Sequence, residues 1–219
     1  MKTMHKMLLG AALLSAAPAF ATDFSYTGTF RQDDNVAFFD FVATGTSTVT
    51  LRSFSYAGGV NSAGATIAAG GFDPILTLYD LATGNRISFQ DDGSGVPVDP
   101  VTGAPFDVNF SSTLAAGSYR VALSQYNNFG GATLSDAFDR AGSGNFTQAY
   151  CDMGITAPFC DFTGAKRTSA WAFDILGVDT ATGPGGTVPE PATWAMMILG
   201  MGAVGGALRR RSTKVTFAH

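Results

Sequence analysis

Three stretches of the chain alternate apolar and polar residues with a period of two. In 118–126 (SYRVALSQY), Tyr119, Val121 and Leu123 share one face, while Arg120, Ala122 and Ser124 take the other. In 46–54 (TSTVTLRSF), Val49 and Leu51 oppose Thr48, Thr50 and Arg52; in 170–176 (AWAFDIL), Trp171, Phe173 and Ile175 oppose Ala172 and Asp174. Side chains of a strand point to opposite faces in turn, so this pattern predicts half-buried antiparallel strands. The runs 36–42 (VAFFDFV) and 74–80 (PILTLYD) are apolar on both faces and predict strands buried on both sides. Pro74 is expected to open its strand, where a missing N–H costs least.

Turn residues separate these segments: Ala-Thr-Gly at 43–45, Ala-Thr-Gly-Asn at 82–85, Asp-Asp-Gly-Ser-Gly at 91–95 and Ala-Ala-Gly at 115–117. Between residues 22 and 180 no stretch shows a capped stripe of helical period. The predicted fold is therefore all-β, a jelly-roll-like β-sandwich with under about one residue in seven helical, against a usual third. Two irregular regions remain, the Gly/Ala stretch 57–71 and the segment 127–168, which reads as a long excursion from one edge.

The ends follow different patterns. Lys2 and Lys6 precede an apolar stretch from Met7 to Ala17, and Ala19-Phe20-Ala21 has the small-x-small form of a cleavage site. Residues 1–21 are thus predicted to be a signal peptide helix, cut after Ala21. At the other end, the Gly/Pro linker 181–191 leads into seventeen uncharged residues, 192–208, at the lower limit for a transmembrane helix. Arg209, Arg210 and Arg211 follow, a basic cluster that stops translocation and holds the tail 209–219 in the cytoplasm.

Composition sharpens the picture. Residues 22–188 hold sixteen Asp, no Glu and seven bases, a formal charge of −9. Asp bonds its neighbouring backbone and favours turns, while Glu favours helices. So acidic a passenger argues against nucleic acid. Its two cysteines, Cys151 and Cys160, predict a disulfide closing a small loop in an exported chain.

Candidate chemistry is sparse. Both histidines, His5 and His219, lie outside the passenger, so nucleophile–base chemistry lacks its usual base. Lys166 stands in a polar loop stretch and reads as a solvated charge. Neither Asp33-Asp34 nor Asp91-Asp92 shows a partner that would separate two carboxyl pKa values. The sequence thus predicts a protein that is not an enzyme and carries no organic cofactor. Calcium suits the turn carboxylates better: Asp73, Asp91 and Asp92 are the candidate ligands, set against a reading as plain solvated turn residues. A glycan is a further candidate ligand, with Phe129 of 127–131 (NNFGG) presented on a loop, although most alternating aromatics are core.

Two resemblances add to this. Phe72-Asp73-Pro74, Leu76, Leu78, Tyr79, Asp80, Asp91-Asp92-Gly93, Gly117, Tyr119 and Val121 stand in an order that resembles bacterial pre-peptidase C-terminal domains. Closer still is the resemblance to exported proteins with a Phe-Asp-Pro-x-Leu motif. The likeness covers residues 24–128 and implies a jelly-roll-like sandwich without known catalytic residues.

The tail resembles a PEP-CTERM sorting signal. Val188-Pro189-Glu190-Pro191, Trp194-Ala195-Met196-Met197, Gly200, Gly202 and the arginine run fall in that order, and only the extension STKVTFAH departs from it. This implies recognition at Pro189, Glu190 and Pro191 by exosortase, a membrane protease-transpeptidase of Gram-negative bacteria that make extracellular polysaccharide. The anchor would be temporary. The implied protein is a structural or adhesive component of the cell surface or exopolysaccharide matrix, with a carbohydrate- or calcium-binding module as the alternative and a hydrolase last.

Overall fold

A computed structural model describes residues 22–151, 159–184 and 200–201. Its strands are β1 (Thr22–Thr29), β2 (Val36–Ala43), β3 (Ser47–Ser53), β4 (Gly59–Val60), β5 (Thr66–Ile67), β6 (Pro74–Asp80), β7 (Arg86–Gln90), β8 (Asn109–Leu114), β9 (Gly117–Gln125), β10 (Ala170–Val178) and β11 (Thr180–Thr182). Within 22–184 the described residues include one helical element, the 3-10 turn Phe146–Tyr150.

The pairing is nested. β6 pairs with β7, β3 with β8, β2 with β9 and β1 with β10, all antiparallel. A long hairpin folded at its middle and rolled up gives this arrangement. Rolling brings β3 beside β10 and β6 beside β9. The two sheets are then ordered β1-β10-β3-β8 and β11-β2-β9-β6-β7, with β4-β5 a separate small ribbon. Eight long strands in these orders make a jelly-roll sandwich.

The core lies between the sheets, on the faces that alternation marks. Val49 and Leu51 of β3, Tyr119, Val121 and Leu123 of β9, and Trp171, Phe173 and Ile175 of β10 all point inward and are buried. Phe39 sits at their centre, edge-on to Trp171 at 5.6 Å and tilted against Phe173 at 4.9 Å between ring centroids. Pro74 opens β6, and that strand is buried on both faces as its sequence predicts.

The outer faces differ from expectation in both directions. β2 is one-sided: Phe39 and Phe41 are buried, but Phe38 is 40% exposed. β9 and β10 are covered on both sides, with Ala122, Ser124, Ala172 and Asp174 buried as well. Long-range contacts cover β9 and β10: on β10 the loop after β3 closes over the outer face, where the Ser62 N–H donates to Asp174 and the Ala172 N–H donates to the Ser55 hydroxyl. The segment between β9 and β10 lies across the outside of the second sheet, where Phe138 meets Phe38 and the Gly131 carbonyl accepts from the Tyr79 hydroxyl. Gly130 comes so close that a Cβ there would stand 2.2 Å from the Tyr79 oxygen.

This excursion is tied down at several points. Thr147 donates its N–H and hydroxyl to the buried Asp33, and the Gly144 N–H donates to Asp34. The predicted Cys151–Cys160 disulfide is present, with a Cα–Cα distance of 5.6 Å. It holds the end of the 3-10 turn next to Phe159, which stacks on the core residue Phe72.

The predicted signal peptide, with Ala19 and Ala21, lies outside the described residues, as do Pro189, Glu190, Pro191 and Arg209 to Arg211. So does the span 192–208, apart from Gly200 and Met201. Among the described residues, no helix is long and apolar enough to cross a membrane.

Candidate functional site

The three candidate calcium ligands converge. Leu76 pairs with Gln90 across the β6–β7 hairpin, and continuing that register carries Asp73 beside the Asp91-Asp92-Gly93 turn. Asp73 is fixed by the motif around it: Phe72 is buried in the core, Pro74 starts the strand, and the Asp73 carbonyl accepts the Tyr126 N–H at 2.8 Å. The opposite turn is held by Gly93, whose N–H donates to the Asp107 carbonyl. A Cβ on Gly93 would lie 2.2 Å from the Asn109 nitrogen, so only glycine fits this approach.

Asp73, Asp91 and Asp92 each bring a carboxylate oxygen within 4.8 Å of the others. Oxygens bound to one calcium ion at roughly 2.3–2.6 Å satisfy that spacing. The carboxylates line a pocket of about 180 Å³ with Phe106, Tyr126 and Phe162 as its remaining walls. Asp73 is 4% exposed, and among the described residues its buried Oδ1 has no hydrogen-bond partner, nor has the buried Oδ1 of Asp91. No Arg or Lys pairs with any of the three among the described residues.

With all three carboxylates ionised this arrangement is costly, and protonation or a bound cation relieves it. Two unit charges about 4.8 Å apart repel by roughly 3.5 kcal/mol at an effective dielectric near 20. The titration behaviour reflects it. Burial, then the charges of Asp91 and Asp92, pushes Asp73 well above the usual carboxylate range. Burial and the Asp92 charge push Asp91 up to about 7, and burial raises Asp92. The donors are all hard oxygens, with no imidazole or thiolate, a set that suits Ca²⁺ rather than zinc or copper.

A second acidic network is fully satisfied. Arg167, exposed to 4%, donates to the Gly71 and Tyr56 carbonyls and to both oxygens of Asp99, and its guanidinium lies 3.7 Å over the Tyr56 ring. Asp99 pays desolvation, yet its bonds from Arg167 and Thr102 outweigh that and lower its pKa. Asp107 accepts from Ser53, Tyr56 and Ala57. The Tyr56 hydroxyl donates to Asp161, and burial followed by that contact raises its pKa. These groups brace the loops beneath the pocket. The sequence shows none of this, because Arg167 follows Lys166 in a stretch that looks solvated; Lys166 is indeed exposed, but Arg167 is not.

Asp33 and Asp34 are not near the pocket in role: their oxygens anchor Thr147 and Gly144 of the excursion. Phe129 is a half-buried member of a run of rings that includes Tyr126.

Beyond the sandwich, sequence comparison decides what the tail is. Residues 187–211 match the PEP-CTERM protein-sorting motif. The chain carries a PEP-CTERM tail. The motif marks an exported protein that is processed by exosortase and sorted by way of the membrane to the cell surface. No curated protein matches the chain. The PEP-CTERM tail thus accounts for destination, and the passenger's own geometry must account for activity.

Proposed function

We propose that the passenger is a calcium-binding β-sandwich that serves as a structural or adhesive component of the cell surface or exopolysaccharide matrix, and not as an enzyme. Convergence of the buried Asp73, whose Oδ1 has no hydrogen-bond partner among the described residues, with Asp91 and Asp92 carries this reading. Exported proteins meet calcium at high concentration, and extracellular modules bind it at dissociation constants down to about 10⁻⁴–10⁻³ M. The ion would neutralise a trio of charges that otherwise strains the β6–β7 end of the sandwich. In the same reading, the precursor is held in the inner membrane of a Gram-negative cell, facing the periplasm, after loss of its signal peptide. Exosortase frees it from that anchor, and extracellular polysaccharide is the partner class it then meets.

Thermal melts in chelator and in millimolar calcium test the site. Calcium at about tenfold its dissociation constant should stabilise the protein by about 1.4 kcal/mol, because it binds the native state alone. The Asp91→Asn variant should lose most of that gain. Identical melts with and without calcium would overturn the proposal.

A further inference from the structure

Beside the carboxylate pocket, five exposed or half-buried aromatic rings touch one another in succession. Phe89 of β7 meets Phe129 at 5.7 Å between centroids, Phe129 meets Tyr126 at 6.0 Å, Tyr126 meets Phe162 at 6.3 Å, and Phe162 meets Tyr150 at 6.3 Å. Every contact is edge-to-face, with interplanar angles of 71–80°. Phe89 is 45% exposed and Phe162 71% exposed, which is a large apolar area to leave in water. Tyr126 and Phe162, neighbours in this succession, also wall the pocket of Asp73, Asp91 and Asp92.

We propose that this ribbon of rings binds a neutral pyranose polysaccharide, laid along it with its hydroxyls directed into the carboxylate pocket. Three observations select that occupant. Exposed rings stand directly beside carboxylate acceptors, and a pyranose offers apolar C–H faces to rings and hydroxyls at its rim. The carboxylates sit at the middle of the ribbon, whereas the centre of a protein interface is depleted in charge. A protein partner covering the rings would desolvate those acids; a sugar would hydrogen-bond to them or share their ion. Finally, a passenger of formal charge −9 repels a polyuronate, which leaves the neutral chain. The inference rests on the polysaccharide partner of the proposed function and deepens it by naming the surface and the neutral chain it takes; it does not rest on the calcium site.

The test uses the mature exported chain in millimolar calcium, passed over immobilised glucan, mannan, galactan and xylan, with polygalacturonate as the acidic comparison. At least one neutral polysaccharide should retain it. Phe89→Ala and Phe162→Ala should each weaken retention about tenfold, equivalent to ~1.4 kcal/mol. Phe89 is exposed and lies outside the walls of the carboxylate pocket, so in Phe89→Ala the melting temperature and its calcium shift should stay at the wild-type values, which separates lost binding from lost folding. No retention on any neutral polysaccharide would overturn the proposal, as would equal retention of the double variant or retention on polygalacturonate alone. The calcium shift is read on the same wild-type sample, so failure of the metal site and failure of the ribbon are seen separately.

Discussion

Asp91 ends the β6–β7 hairpin with its carboxyl pushed up to about 7, while its unfolded value is near 3.8. Asp73 and Asp92 shift in the same direction. Between those pH values the folded, calcium-free chain binds more protons than the unfolded one, so its stability falls as pH rises through the window. Urea midpoints in chelator should therefore decline from pH 4 toward pH 7.5, and calcium should cancel much of the decline. A flat or rising profile in chelator would contradict the cluster's electrostatics. In chelator, Asp91→Asn should be more stable than the wild type, since an amide removes one charge from the trio. Arg167 gives the opposite case. Replacing it with Ala strands Asp99 as a buried charge, and loss of one partner of such a pair costs about 3–5 kcal/mol. A urea-derived loss under about 1 kcal/mol would mean that the network around Tyr56 carries little of the fold.

At the scale of elements, the excursion between β9 and β10 governs both the cover of the second sheet and the position of the rings. Cys151→Ser combined with Cys160→Ser should cost about 2–3 kcal/mol in the chain-entropy account of loop closure. Hydrogen exchange should rise first around Thr147 and Tyr150, while β6 and β9 stay protected. Equal exchange in both forms would show that Asp33 and Asp34 alone hold the excursion. The sequence made the strands legible where one face meets the core, as in β3, and where both faces are apolar, as in β6. It misread β9 and β10 on their outer faces, because what covers them comes from residues far along the chain, and β2 in the opposite sense, since Phe38 stays 40% exposed. The calcium candidates were legible for a local reason: Asp73 and Asp91-Asp92 flank the two strands of one hairpin. The ring ribbon was not, since Phe89 and Phe162 look like core residues until their neighbours are placed. Arg167 was hidden by the polar residues beside it.

For the whole molecule, the fold and the tail play separate parts. A jelly roll brings distant turns together at one end of the sandwich, and a PEP-CTERM tail brings that sandwich to the surface. Glu190→Ala should leave membrane insertion intact, because Glu190 lies outside the apolar run, yet block processing, so that uncut precursor collects in the membrane fraction. Neutralising Arg209, Arg210 and Arg211 should instead weaken retention, leaving Lys214 as the remaining base in the tail. Intact mass spectrometry of the protein recovered from the surface of cells with active exosortase tests the account most directly. It should show a chain that starts at Thr22 and ends close to Pro189-Glu190-Pro191; a chain that still runs to His219 would contradict it.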